Sequence, residues 1–154
     1  HETLEHSLHT VKSQLEGRKI SVDRKFGATL DSIKGDDYQL QQAFVNLFLN
    51  AIEAMDSGGK LAIATKLART RPQSGRTDRS HVRVTIADTG AGISPENLKH
   101  LFEPFFTTKK HGTGLGLPIT QRIIEEHAGT INVESQAGGG AAFHVLIPAL
   151  EVAS

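Results

Sequence analysis

Hydrophobic positions recur every three or four residues in several parts of the chain, which is the spacing of one face of an α-helix. A narrow stripe of this kind predicts a first helix over residues 2–16, which Gly17 ends. The members of this stripe are Leu4, Leu8, Val11 and Leu15. A stronger pattern predicts a helix over residues 38–55, and weaker ones predict helices over residues 94–102 and 115–127. The apolar side of the strongest helix consists of Leu40, Phe44, Leu47, Ala51 and Met55.

Elsewhere, hydrophobic and polar positions alternate with the period of two that is typical of strands with one buried face. The strands predicted in this way cover residues 20–26, 60–67, 81–87, 130–135 and 142–147. Residues 69–80 are polar and contain Pro72 and Gly75, which predicts an exposed loop between two hairpin strands. After Ile86 the same alternation places Asp88 on the inward face, where a carboxylate needs a hydrogen-bonding partner.

The polar side of the strongest helix differs from an ordinary solvent-facing side. It carries Gln42, Asn46, Asn50 and Glu53. Asparagine is a mediocre helix former, and exposed helix positions more commonly carry Glu, Lys or Gln. Asn46 and Asn50 lie one turn apart and direct two amide groups at the same place. Taken alone, this pair is best interpreted as a hydrogen-bonded helix face.

Composition indicates one soluble globular domain. The 154 residues are 38% hydrophobic and 22% charged, which argues against disorder. Zero formal net charge and the lack of a long basic run argue against nucleic acid as a partner. The absence of cysteine excludes disulfides and thiolate metal sites. No hydrophobic run approaches the roughly 20 residues of a membrane span, and no signal peptide opens the sequence. We expect a cytoplasmic domain. A membrane-anchored full-length protein is compatible with this expectation.

Two glycine clusters are the strongest candidates for chemistry. The first is Asp88-Thr89-Gly90-Ala91-Gly92, and the second is Gly112-Thr113-Gly114-Leu115-Gly116-Leu117. Glycines let backbone amides approach a polyanion, and the helix predicted after the second cluster offers its positive end. The second cluster lacks the Gly-Lys-Ser/Thr of a Walker loop, and no strand leads directly into it as the dinucleotide fingerprint requires. Separately, the clusters are also compatible with a tight turn and a capping loop; together they indicate a nucleotide site.

An aromatic segment connects the two clusters. It reads Phe102-Glu103-Pro104-Phe105-Phe106-Thr107-Thr108-Lys109. Its phenylalanines are interpreted as core or lid residues rather than as base-stacking residues. Lys109, Lys110 and His111 form a solvated charge cluster or, given their position before the second glycine cluster, a contact for a γ-phosphate.

In this order, the motifs resemble the catalytic and ATP-binding domain of bacterial sensor histidine kinases, within the superfamily shared with gyrase, Hsp90 and MutL. Residues 46–55 resemble its N box, residues 88–92 its first glycine box, residues 102–109 its F box and residues 112–117 its second glycine box. Gly138-Gly139-Gly140 stands where a terminal glycine turn is usual. The short lid and uninterrupted Thr-Thr-Lys run resemble the nitrogen-regulator type. The resemblance implies a two-layer α/β sandwich of the Bergerat type, with a mixed, mostly antiparallel sheet covered on one face by helices.

The resemblance also implies roles for individual residues. Asp88 would accept a hydrogen bond from the adenine amino group, Asn50 would ligate Mg²⁺ through its amide oxygen, and Asn46 would face the phosphates of ATP. Residues 95–114 would form a lid, with Lys109 contacting the γ-phosphate. The remaining nucleotide contacts would come from Glu53, Thr89, Gly90, Gly92, Ile93, Phe102, Thr107, Thr108, Gly112, Thr113, Gly114, Leu115 and Gly116.

Asn46 favours a kinase over a hydrolase, because superfamily ATPases carry a general-base Glu there and an amide cannot take up a proton. The resemblance also implies a phosphoacceptor histidine followed by an acidic residue and, soon after, proline. His1 has the acidic neighbour without the proline, and neither His6 nor His9 has that neighbour. We therefore expect residues 1–17 to be a linking helix and residues 18–154 to be the catalytic domain.

The dimerisation and phosphoacceptor domain is expected to lie outside this chain, as is the response regulator that the full-length kinase would serve. The fragment is expected to be monomeric and its parent homodimeric. Two alternatives stay open: a serine kinase of the anti-sigma-factor type, and a non-catalytic module that senses ATP.

Overall fold

The structure is a computed structural model that describes residues 1–29, 31–70, 79–106, 116–135 and 138–150. Its helices are α1 (Glu2–Thr10), α2 (Lys12–Gly17), α3 (Asp37–Ala54), α4 (Pro95–Leu98) and α5 (Gly116–Glu126). Its strands are β1 (Ser21–Phe26), β2 (Lys60–Thr70), β3 (Arg79–Asp88), β4 (Thr130–Ser135) and β5 (Ala141–Pro148). No helix in the described ranges is long and apolar enough to cross a membrane.

The strands of the described residues form one sheet in the order β1-β2-β3-β5-β4. β1 pairs with β2 in parallel, and the other three pairings are antiparallel. The inward residues of the sheet, such as Val84 and Phe143, share one hydrophobic core with α1, α2, α3 and α5. The predicted two-layer sandwich with a mixed, mostly antiparallel sheet is therefore confirmed.

The central hairpin is longer than the alternation predicted. Arg69 pairs with Ser80 and Thr70 with Arg79, so the ends of the segment predicted as a loop belong to strands. The prediction was wrong at these ends because backbone hydrogen bonds extend the strands through polar residues, and the Ser80 carbonyl also accepts from the Ala149 N–H at 2.9 Å. Polar residues such as Arg69 and Ser80 leave no hydrophobic alternation to mark a strand, although Ser80 is buried.

The strongest predicted helix is confirmed as α3. Its N-terminus is capped by Asp36, whose carboxylate accepts a hydrogen bond from the Gln39 N–H at 3.1 Å. At its C-terminus the Arg18 guanidinium donates to the carbonyl oxygens of Ile52 (3.1 Å) and Met55 (2.9 Å). All members of the predicted apolar side are buried. Both ends of α3 are thus held by side chains that satisfy its terminal backbone groups.

The first predicted helix is wrong in its continuity and in its end. It is divided at Val11 into α1 and α2, and the left-handed residue after α2 is Lys19 (φ 53°), not Gly17. The Lys19 N–H donates to the Glu16 carbonyl and the Ile20 N–H to that of Leu15, which is a Schellman ending. Burial of Leu15 and Ile20 fixes this ending, so tertiary packing outweighed the preference for glycine.

The hydrophobic stripe of α1 and α2 packs into the main core. Leu4, Leu8, Val11 and Leu15 are all buried together with residues of α3 and of the sheet. The division into a linking helix over residues 1–17 and a catalytic domain over residues 18–154 stays a prediction.

The helix predicted over residues 94–102 is wrong in its length. Ser94 caps it as expected, accepting from the Asn97 N–H at 3.2 Å, but α4 ends at Leu98. Beyond Leu98 the chain continues in turns, in which the His100 N–H donates to the Asn97 carbonyl (3.1 Å) and the Glu103 N–H to the His100 carbonyl (3.0 Å). Pro104 also disfavours helical backbone at Glu103.

Candidate functional site

A row of residues along α3 connects two ends of a candidate site. Asn46, Asn50 and Ala54 are four residues apart and therefore lie on one side of the helix, spanning about 12 Å along its axis. At one end, the Asn46 Nδ2 donates to the carbonyl oxygen of Gly116, the first residue of α5, at 3.4 Å. At the other end, the Ala54 carbonyl accepts from the Ala91 N–H at 3.2 Å. The row thus runs from the start of α5 to the loop after β3.

Asp88 ends β3 at this second position with only 8% of its surface exposed. Its Oδ1 accepts a hydrogen bond from the Gly90 N–H at 2.8 Å, and its carboxylate also accepts from the Ala141 N–H. Burial raises the pKa of Asp88, while these two N–H groups oppose that rise. The predicted inward orientation and hydrogen-bonding partner are both confirmed. Since a carboxylate offers about four lone pairs, two N–H bonds leave room for a further donor.

Two glycines bring backbone against backbone around Asp88. A Cβ on Gly90 would overlap the Ala54 carbonyl oxygen, and a Cβ on Gly140 would overlap the Asp88 carbonyl oxygen. Gly140 also has a left-handed φ of 77°, as has Gly92 with 78°. Gly90 and Gly140 require glycine for the approach itself, so the loop after β3 lies directly against both α3 and the β4–β5 turn.

Thr89 and Ile93 are held by contacts within this loop region. The Thr89 hydroxyl accepts from the Lys60 N–H at 3.0 Å and lies 3.6 Å from the Met55 sulfur, which ties the loop to the start of β2. The Ile93 N–H donates to the Ser135 Oγ at 2.6 Å. Both predicted residues therefore lie in the loop that follows Asp88, and the contacts described here are structural ones.

The structure brings Asp88 and Gly90 together with the Ala54 end of α3. At the other end of the row it brings Asn46 together with Gly116. Phe102 is partly buried against the core, and Glu53 lies on the exposed surface of α3. The remaining predicted contacts lie outside the described residues: Thr107, Thr108, Lys109, Gly112, Thr113, Gly114 and Leu115.

The β4–β5 turn was not among the predicted site residues. Its Gly138 N–H donates to the Ala91 carbonyl at 2.6 Å, and Ser135 and Gly140 contact the same loop. The glycine repeat at residues 138–140 was the available signal. Only the antiparallel pairing of β3 with β5 shows that this turn and Asp88 lie at the same edge of the sheet.

Comparison with known proteins identifies the class. The family described as histidine kinase-, DNA gyrase B- and HSP90-like ATPase matches residues 35–151, and the chain belongs to this family. Within it, the chain is similar to sensor histidine kinase ZraS of Salmonella typhimurium, with 41% identity over 145 residues, 94% of this chain and 29% of that protein. The chain corresponds to the ATP-binding catalytic domain of such kinases.

Solved structures agree with this assignment. The catalytic domain of histidine kinase ThkA superposes with a TM-score of 0.76 at 30% identity, covering 96% of this chain and 91% of that one. Full-length ShkA in complex with AMPPNP superposes with a TM-score of 0.77 at 25% identity, covering 99% of this chain and 30% of that one. The chain thus spans less than a third of the length of ZraS and of full-length ShkA.

Proposed function

We propose that this domain binds ATP with Mg²⁺ and transfers the γ-phosphoryl group to a histidine on a separate dimerisation domain, for relay to the receiver domain of a response regulator. The observation that carries the proposal is the row along α3, which places amide side chains between the Asp88 loop and the start of α5. The domain would act as a monomeric unit within a homodimeric parent, on the cytoplasmic side where ATP is available.

At the adenine end, Asp88 is the proposed reader of the base. Its carboxylate is buried, fixed by the N–H groups of Gly90 and Ala141, and retains acceptor capacity for an exocyclic amino group. A base with a carbonyl at that position would place a hydrogen-bond acceptor against the Asp88 carboxylate, which is itself an acceptor. The arrangement therefore favours ATP over GTP. Thr89, Gly90, Gly92 and Ile93 are proposed to line this end.

The residues near Asn50 fit a magnesium ion held mainly by phosphates. Within the described part of the chain, no cluster of three His, Cys, Asp or Glu side chains is arranged to hold a metal. Mg²⁺ in phosphate-transfer sites is commonly bound through few protein oxygens together with substrate phosphates and waters, so one amide oxygen from Asn50 is a suitable ligand set. When bound, the ion would neutralise charge on the transferred phosphoryl group.

The phosphate end favours transfer over hydrolysis. The Asn46 amide donates to the Gly116 carbonyl, so it contributes orientation to the start of α5 and offers no proton acceptor for a water molecule. A neutral histidine already presents a lone pair for attack on phosphorus, and phosphoryl transfer depends mainly on positioning and charge. The lid residues 95–114, with Lys109 on the γ-phosphate and Gly112, Thr113 and Gly114 on the triphosphate, are proposed from the sequence.

The test is phosphoryl transfer to the dimerisation domain of the full-length parent, supplied as a separate polypeptide. With γ-labelled ATP, the acceptor should acquire acid-labile label. Asp88→Asn and Asn50→Ala should reduce this label, while Thr130→Ala, at an exposed position on β4, should not. Acid-stable label would identify a hydroxyl acceptor, as in a serine kinase. ATP binding without any transfer would identify a sensing module.

A further inference from the structure

One peptide group beside Asp88 makes hydrogen bonds on both of its sides. Ala141 lies opposite Asp88 in the sheet, and the N–H of the peptide that joins Gly140 to Ala141 is one of the two backbone groups whose hydrogen bonds lower the pKa of the Asp88 carboxyl. The carbonyl of the same peptide accepts a hydrogen bond from the Ser135 hydroxyl at 2.7 Å. Because the peptide unit is planar and rigid, anchoring the carbonyl also fixes the direction of the N–H.

The Ser135 hydroxyl is also an acceptor for the loop on the other side of the site. The Ile93 N–H donates to Ser135 Oγ at 2.6 Å, so the one hydroxyl uses its proton toward Gly140 and a lone pair toward Ile93. Ser135 ends β4 opposite Ala141, and Ala141 is opposite Asp88 on the next strand. The three residues therefore form one row across the sheet.

We propose that Ser135 is a positioning residue for base recognition, acting on Asp88 through the Gly140–Ala141 peptide and on the adjoining loop through Ile93. The inference rests on the proposed role of Asp88 as the adenine reader. The continuous chain of donors and acceptors ends on the carboxylate, so loss of the hydroxyl releases the carbonyl and N–H that orient it. Hydrogen bonds in such a chain also polarise one another, which strengthens the last one.

The geometry leaves little freedom for another group to replace this hydroxyl. Gly140 has a left-handed φ of 77°, and its Cα approaches the Asp88 carbonyl so closely that a side chain does not fit. A simple turn-forming role for Ser135 would not require two hydrogen bonds to two different segments. Both of those segments also contact the carboxylate or follow it directly in the chain.

The experiment is titration calorimetry with ATP and GTP on four variants of this domain. Ser135→Ala removes the hydroxyl, Ser135→Thr keeps it, Ser135→Cys keeps the size with a weak donor, and Thr130→Ala removes an exposed hydroxyl from the same strand. We expect Ser135→Ala to weaken ATP binding by about threefold to tenfold, the effect of one net hydrogen bond. GTP affinity should change little, so the preference for ATP should fall by the same factor.

The conservative variants separate positioning from folding. Ser135→Thr should retain the ATP affinity of the unmodified domain, Ser135→Cys should lie between Thr and Ala, and Thr130→Ala should have no effect. Equal losses of ATP and GTP affinity in Ser135→Ala would indicate a merely structural role and overturn the inference. Urea unfolding of each variant verifies that affinity is compared between folded proteins, and the Thr and Cys variants supply the comparison if Ala does not fold.

A double-variant cycle distinguishes this inference from the proposed function itself. In an Asp88→Asn background, Ser135→Ala should change ATP affinity by less than about twofold, because residues that act on one another are not additive. If Asp88→Asn alone leaves ATP affinity unchanged, the adenine role of Asp88 is wrong. If Asp88→Asn weakens binding but Ser135→Ala does not, only the positioning role of Ser135 is wrong.

Discussion

Alanine variants of three glycines measure how much stability depends on the close approach of backbone segments around Asp88. Gly138→Ala introduces a side chain at a left-handed φ of 81°, with no atom within 4 Å of the new Cβ. Gly90→Ala introduces a Cβ that overlaps the Ala54 carbonyl oxygen, without a left-handed φ. Gly140→Ala combines a left-handed φ with overlap of the Asp88 carbonyl oxygen. The series therefore separates backbone strain from steric overlap.

The magnitudes follow from these two costs. Alanine in left-handed backbone costs about 1–2 kcal/mol, partly offset by the smaller entropy of the unfolded chain, so Gly138→Ala should lose about 1 kcal/mol. Overlap with a backbone atom that does not move freely costs about 1–3 kcal/mol, which is the expected loss for Gly90→Ala. Gly140→Ala incurs both costs and should lose about 3 kcal/mol. Since domains are stable by about 5–15 kcal/mol, all three variants should still fold.

The assay is urea unfolding followed by far-ultraviolet circular dichroism, because the chain has no tryptophan and one tyrosine. With a slope of about 1–3 kcal/mol per molar urea, the midpoint of Gly140→Ala should lie lower than that of Gly138→Ala by about 1 M. Equal midpoints for these two variants would refute the close approach of Gly140 to Asp88. A neutral Gly90→Ala would refute the contact between the Asp88 loop and α3.

Three further predictions concern pH, capping and the first helix. Because burial raises the pKa of Asp88 above 3.8, its contribution to stability is fully present below pH 3.8 and is lost as pH rises through the raised pKa. ATP affinity, measured by titration, should fall as pH decreases through that raised pKa, and Asp88→Asn should abolish this dependence while weakening binding at neutral pH by about 1.5–3 kcal/mol. Arg18→Ala should lower the free energy of unfolding by about 1 kcal/mol, because it removes the side chain that caps the C-terminus of α3. The slope of the urea unfolding curve should stay unchanged. Leu8→Ala should cost about 2–5 kcal/mol and exposed His9→Ala almost nothing; similar small losses would contradict the packing of α1 in the core.

Much of the fold was predictable because most elements bury one regular face. The buried side of α3, the inward residues of β3 and β5 and the order of elements all follow from hydrophobic period alone. The inward orientation of Asp88 followed from the same parity. Asn46 and Asn50 were recognisable because asparagine is a poorer helix former than the Glu, Lys or Gln that exposed helix positions usually carry. The role of each in binding remains a prediction.

Other features were not predictable from local pattern. The break at Val11 and the left-handed Lys19 depend on which surfaces find a packing partner, and α4 gives way to turns after Leu98. The extended ends of β2 and β3 depend on backbone pairing, which leaves no hydrophobic signal. Propensity describes each segment alone, whereas packing decides where a segment stops.

The sequence by itself determined the chemical groups of the candidate site. These are one inward carboxylate, two amides one helical turn apart, and glycines that let neighbouring backbone segments approach closely. Tertiary structure alone decided their neighbours. Antiparallel pairing placed Ser135 and Gly140 beside Asp88, residues separated from it by about fifty positions in the chain. The physical reason is that hydrogen-bond partners across a sheet are set by strand order and register, which no local spacing encodes.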